Sequence, residues 1–123
     1  MTKARLDLGR QGEGLALKKI KSFGYQCIAT NYRCSLGEVD LIAKDGDTFV
    51  FIEIKTRKGR SLGYAKEAVH QKKRRQLSKV ALAYLKNNGL LGSKARFDVV
   101  AIQMKEGGAE IEWVKNAFDL AYE

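Results

Sequence analysis

Three residues of this chain have the types and spacing to act together on a phosphate group: Asp40, Glu53 and Lys55. Glu53 and Lys55 lie two apart in an apolar, β-branched stretch, and residues so spaced on an extended strand share one face. A carboxylate pair can hold Mg²⁺ or Mn²⁺ through oxygen and leave positions for water and phosphate. A neighbouring ammonium would then stabilise charge building on the phosphorus. Whether Asp40 meets Glu53 depends on the turn between them. With Gly46-Asp47 as a two-residue loop, Asp45 pairs with Thr48 and Asp40 falls directly opposite Glu53. With Asp45-Gly46 as the loop, Asp40 faces Phe51 but stays on the Glu53 face, whereas a three-residue loop puts the two acids on opposite faces. Carboxylates about 5 Å apart repel by roughly 3 kcal/mol at an effective dielectric near 20. A cation or a shared proton is needed to relieve that.

An ordinary exposed strand with cross-strand ion pairs would carry the same letters. Three features argue against it. Phe49, Val50, Phe51, Ile52 and Ile54 make the Glu53 strand apolar on both faces, as in a buried central strand, and a charge there needs a partner. Glu13 also opens an apolar helical stripe with Ala16, Leu17 and Ile20, so it should point toward the sheet. Lys73, one turn before Leu77, sits on the inward stripe of a second helix.

The elements that must position these groups follow from periodicity and punctuation. Arg5 to Phe23 reads as a helix stopped by Gly24, and Tyr25 to Arg33 as a strand. Glu38–Lys44 and Thr48–Thr56 form a hairpin, with Glu38, Asp40, Ile42 and Lys44 on one face and Val39, Leu41 and Ala43 on the other. Arg57 to Gly63 reads as a loop and Ala65 to Asn87 as a helix ended by Asn88-Gly89. Arg96–Met104 and Glu110–Lys115 are strands around a turn at 105–109. The order α-β-β-β-α-β-β predicts an α/β fold: one central, mixed, five-stranded sheet flanked by helices, in a single domain over residues 1–123.

Charge is concentrated. The chain has 123 residues and a net charge of +9. Ten lysines and arginines between Lys55 and Lys79 face only Glu67, so that segment alone accounts for +9. Such a stretch is the footprint expected of a phosphate-backbone binder. With 45% hydrophobic and 30% charged residues the composition is globular rather than disordered. No signal peptide or run of about 18 apolar residues is seen, and Cys27 and Cys34 lack zinc-site spacing, so a cytoplasmic chain with reduced thiols and no membrane contact is expected. Gly9, Gly12 and Gly14 follow no strand and do not make a dinucleotide loop. His70 has no acid–base partner in view, and Trp113 and Tyr84 read as core. Tyr32 is the aromatic residue best placed by sequence to touch nucleic acid.

Five segments occur in order: Leu8-Gly9-Arg10-Gln11-Gly12-Glu13, Asn31-Tyr32-Arg33, Gly37-Glu38-Val39-Asp40-Leu41-Ile42-Ala43, Phe51-Ile52-Glu53-Ile54-Lys55-Thr56-Arg57 and Arg96-Phe97-Asp98-Val99-Val100. Together they resemble the YraN-like family of small bacterial proteins. That family is similar to archaeal Holliday-junction resolvases within the PD-(D/E)XK nuclease superfamily. The resemblance implies a restriction-endonuclease-like fold and hydrolysis of DNA phosphodiesters, with branched DNA among the candidate substrates. It implies Mg (or Mn) held by Asp40 and Glu53 with help from the Ile54 carbonyl, Lys55 positioning the attacking water, and Glu13 assisting. Val39 stands where the superfamily has proline, and Arg74 follows Lys73 where relatives carry glutamine. Arg33, Arg57, Lys58, Arg60, Lys72, Lys73, Arg74 and Arg75 are the expected grip on nucleic acid. A branch-resolving enzyme would need two sites and hence a homodimer. The competing expectations are a non-catalytic nucleic-acid-binding module and a partner-dependent DNA-processing subunit.

Overall fold

Alternating apolar side chains on three consecutive strands need cover on both sides, and two helices supply it. The computed structural model describes residues 3–58 and 71–118, with side chains for 10–56 and 72–118. Within it run α1 (Lys3–Ser22), β1 (Gln26–Cys34), β2 (Gly37–Asp45), β3 (Thr48–Lys58), α2 (Gln71–Asn87), β4 (Lys94–Lys105) and β5 (Gly108–Phe118). The strands form one sheet in the order β1-β2-β3-β4-β5. Only β3 and β4 are parallel, because only they are joined by a crossover containing a helix. This is the expected mixed five-stranded α/β sheet.

The two helices cover opposite faces. Ala16 and Ile20 of α1 pack with Leu41, Ala43, Val50, Ile52, Val100 and Ile102. Leu77, Val80, Ala81 and Leu85 of α2 pack with Val39, Ile42, Phe49, Phe51, Phe97 and Val99. β3 is therefore buried on both sides, as its composition demands. Each helix stops at a left-handed glycine, Gly24 (φ 81°) and Gly89 (φ 67°). Tyr25 N–H then reaches back to the Ile20 carbonyl (2.9 Å), and Leu90 N–H to that of Leu85 (2.7 Å). These bonds satisfy carbonyls at the helix ends and fold each following residue onto the core.

Strand pairing moves some boundaries from the sequence expectations. β3 runs on through Arg57 and Lys58, where a loop was expected, because pairing with β4 continues to Lys58↔Met104. The turn between β4 and β5 narrows to Glu106-Gly107, since Lys105 still pairs with Gly108. The described part of the second helix begins at Gln71, and the expected portion before it lies outside the described residues, as do Arg60 and His70.

A more consequential difference lies in β2. The hairpin takes the Gly46-Asp47 loop, with Asp45↔Thr48 through Leu41↔Ile52 in register, and the ladder stops there, one step short of Asp40 and Glu53. Strict alternation would put Val39, Leu41 and Ala43 on one face. Instead Val39 joins Ile42 beneath α2, while Leu41 and Ala43 lie beneath α1. The pleat therefore breaks at Asp40. β1 is distorted at the same level: Asn31, between the pairs Thr30↔Leu41 and Tyr32↔Val39, has φ 51°.

At the far end of the sheet a buried polar cluster fastens the strands. Asp98, fully buried, accepts from Arg96 Nε (3.1 Å), Trp113 Nε1 (2.9 Å) and Asn116 N–H (2.9 Å). Arg96 also reaches Asp45 (2.8 Å) and the Tyr25 hydroxyl (2.8 Å). Burial works against the Arg96 charge, but the Asp98 and Asp45 carboxylates outweigh it and hold the guanidinium firmly protonated.

Gly12 sets how closely α1 approaches β3. A Cβ at Gly12 would sit 2.0 Å from Thr56 Oγ1 and 3.0 Å from Thr56 Cβ, whereas one at Gly14 would meet nothing within 4 Å. Gly12→Ala is therefore expected to destabilise the protein by about 1–3 kcal/mol. Gly14→Ala, at an open helical position, should be neutral or stabilise by up to about 1 kcal/mol. Urea unfolding of the two variants beside the parent measures both, and equal stabilities would refute the close-approach role.

Candidate active site

Where β2 parts from β3, a side chain takes over from the backbone ladder. The Ile54 N–H donates to Asp40 Oδ2 at 2.7 Å, so the carboxylate bridges the gap left by the broken pleat. This pins Asp40 beside Glu53, which lies on the α2 side of β3 with only 5% of its surface exposed. Burial, hydrogen bonding to Asp40 and the Asp40 charge together push the Glu53 carboxyl up from 4.5 to about 7. Two ammonium groups pull the other way: Lys73 Nζ of α2 at 3.4 Å and Lys55 Nζ at 3.8 Å. Two carboxylates and two lysines thus meet at one point, and the helix lysine is the nearer of the two.

Glu13 approaches by a different route. Both its oxygens accept from Asn31 Nδ2, at 3.1 and 3.2 Å. Asn31 falls between the pairs Thr30↔Leu41 and Tyr32↔Val39, level with Asp40 in the β1–β2 ladder, and so ties Glu13 of α1 to that level of the sheet. The role of Asn31 was not read from sequence. Its signal is modest: asparagine tolerates positive φ better than most residues, and its amide can span from strand to helix.

Beside the carboxylates lies a groove of about 580 Å³ lined by Ser35, Leu36, Lys55, Lys72, Lys73, Arg75, Gln76 and Lys79. A shallower depression of about 490 Å³ continues it past Lys73 and Gln76 to Arg33, Cys34, Gly37 and Glu38. Among the described residues, five cationic side chains and no carboxylate line the first. Of the expected phosphate-gripping residues, the structure brings Lys72, Lys73 and Arg75 into this groove and adds Lys79. Arg74 instead turns over the Phe118 ring, 5.3 Å from its centre. Arg33 pairs with Glu38 at 2.7 Å. Arg57 and Lys58 continue β3, but their side chains lie outside those described. Tyr32 is half-buried edge-on against Tyr84 (5.3 Å between ring centres), which engages its ring in packing.

The donor set suits a hard divalent cation: two carboxylates in mutual contact, one deeply buried, with open space on the groove side. Among the described residues no third Asp, Glu, His or Cys completes a group of three, so such an ion would keep several positions for water or phosphate oxygen.

A family model described as Uncharacterised protein family UPF0102 matches residues 12–102. The UPF0102 protein of Syntrophus aciditrophicus is 44% identical over 95% of this chain and 92% of its own length. Those of Geotalea uraniireducens and Geobacter sulfurreducens are each 47% identical over 94% of this chain and 91% of their own. Among solved structures, Pyrococcus furiosus SfsA in complex with Ca²⁺ aligns with a TM-score of 0.41 at 15% identity, over 84% of this chain and 62% of that one. Similarity at that level supports no inference about the site.

Because the folded carboxyl of Glu53 is raised above 4.5, the folded state holds its proton more tightly than the unfolded chain. Its contribution to stability is therefore greatest below pH 4.5 and is lost as pH rises through about 7. In metal-free buffer, stability of the parent relative to Glu53→Gln should fall by roughly 2–4 kcal/mol across that interval. Denaturant unfolding at a series of pH values tests this, and a difference that stays flat with pH would show that Glu53 is not held protonated.

Proposed function

The chain belongs to the UPF0102 family, and from its carboxylate–lysine cluster we propose that it is a divalent-metal-dependent nuclease acting on DNA phosphodiesters. The observation carrying this reading is the contact of Asp40 with buried Glu53 beside a groove that, among the described residues, is lined by five cations and no acid. The strand–turn–strand arrangement of Asp40, Glu53 and Lys55 agrees with the PD-(D/E)XK resemblance of the sequence.

Asp40 and Glu53 would hold Mg²⁺ or Mn²⁺. Bound there, the ion would supply Lewis-acid polarisation of a phosphoryl oxygen and a water ionised near neutral pH. The chain's own residues do the rest. Lys55, on the Glu53 face of β3 and open to the groove, positions the attacking water and stabilises charge gathering on the phosphorus. Lys72, Arg75 and Lys79 grip flanking phosphates, and Lys73 stands between them and Glu53. Glu13, held by Asn31, orients water on the α1 side.

One observation favours a second reading, a nucleic-acid-binding module without catalysis. Lys55 and Lys73 both reach the Glu53 carboxyl, at 3.8 and 3.4 Å, so it has cationic neighbours without an ion.

The deciding experiment is cleavage of labelled duplex, single-stranded, flapped and four-way DNA with Mg²⁺ and Mn²⁺. The nuclease reading expects cleavage of at least one substrate. Glu53→Ala and Asp40→Ala should abolish it, and Lys55→Ala should slow it by about 10²–10³-fold or more with DNA affinity nearly unchanged. Absence of cleavage in every case, with salt-sensitive binding retained, transfers the assignment to the binding module. Under either reading, Lys72→Ala and Arg75→Ala should each lower the slope of log affinity against log salt by about 1.

A further inference from the structure

Among the described residues lining the groove, the side chains are charged or polar except that of Leu36. It is 47% exposed, and only Leu91 joins it as an exposed large apolar side chain among the described residues. Solvated leucines are common singly and need no explanation by themselves. The setting of Leu36 is what distinguishes it. Ser35 and Leu36 form the tip between β1 and β2, closed by the pair Cys34↔Gly37. Gly37 has φ 142°, and a Cβ there would stand 2.8 Å from Gln76 Nε2 and 3.0 Å from Gln76 Cγ. The tip is therefore pressed against α2, which fixes the leucine relative to Lys72, Lys73, Arg75 and Lys79.

A ligand for this groove must present closely spaced anions and, within one side chain's reach, an apolar face. A nucleic-acid strand does so, with phosphates along one edge and bases along the other. A membrane surface fits less well, since interfacial binding needs a broad apolar face rather than one leucine in a concave cationic wall.

Resting on the nucleic-acid reading of the groove, we propose that Leu36 is a wedge that packs against a base face where stacking is interrupted, and so selects strands with an unpaired or broken step. Driving an apolar side chain between stacked pairs costs a few kcal/mol per step. Where a nick, gap or duplex–single-strand boundary has already exposed the base face, that cost largely disappears. Gln76, touching the same tip, offers an amide donor and acceptor to the edge of the base so exposed. The wedge discriminates by stacking, while the lysines hold any phosphate backbone alike.

The test uses the full chain in EDTA, so that binding is read without cleavage. Its probes are a continuous duplex and a gapped duplex carrying 2-aminopurine at the gap. The parent is expected to prefer the gapped duplex by about tenfold and to change the 2-aminopurine fluorescence. Leu36→Ser should bring the preference near unity and remove the fluorescence change, leaving continuous-duplex affinity and salt slope as they were. Leu36→Met should retain both. The proposal is overturned if Leu36→Ser keeps the preference, or if the substitution instead abolishes binding to phosphatidylglycerol vesicles while DNA binding is unmoved. Failure of the parent to bind any DNA overturns this proposal and the functional reading together. Leu36-dependent binding without metal-dependent cleavage removes only the nuclease reading.

Discussion

Everything at the candidate site depends on how β2 leaves β3 at Asp40. Antiparallel strands normally close such a step with backbone hydrogen bonds and keep side chains alternating. Here the Asp40 carboxylate accepts the Ile54 N–H instead, and the pleat changes phase between Val39 and Leu41. That single bond does three things at once. It satisfies an N–H on the central strand, it takes the place of the missing ladder step, and it holds one carboxylate against another whose burial already disfavours charge.

The protein contains two buried acids treated in opposite ways. Asp98 is surrounded by donors from Arg96, Trp113 and Asn116, which fill its hydrogen-bonding capacity. Such a fully satisfied group rigidifies its surroundings. Glu53 is also buried, yet its neighbours are another carboxylate and two lysines at 3.4 and 3.8 Å, looser than good hydrogen bonds. It is thereby left with capacity to spare. The contrast separates a fastening from a reactive centre, although both read as an acid in an apolar strand.

Much of this was legible in the letters. Five strands and two helices followed from periodicity, the Asp45-to-Thr48 pairing from one of three weighed loops, and the meeting of Asp40 with Glu53 from that pairing. The face assignment around Asp40 was not legible, because alternation assumes a ladder and cannot foresee that a side chain will replace it. Nor could spacing show that Lys73 would come closer to Glu53 than Lys55 does, since that distance depends on how α2 docks across the sheet. Gly12 looked like one of three unremarkable glycines, and only the approach of Thr56 separates it from Gly14. The Arg96-Phe97-Asp98 string carried family resemblance without revealing that its charges face inward to Trp113 and Tyr25.

The single parallel pairing has a consequence for assembly. β1 to β3 and β4 to β5 are joined by tight turns and can zip from local contacts. β3 and β4 meet only after the intervening chain has closed a long loop, and α2 takes its seat as part of that closure. Asp40 and Glu53 belong to the locally paired unit, whereas Lys72, Lys73, Arg75 and Lys79 lie on the helix of the crossover. A chain halted partway would hold the acids with Lys55 but without Lys73 and without the groove. Completion of the site thus coincides with completion of the fold, and a nascent or half-folded copy has no assembled surface with which to engage a polyanion.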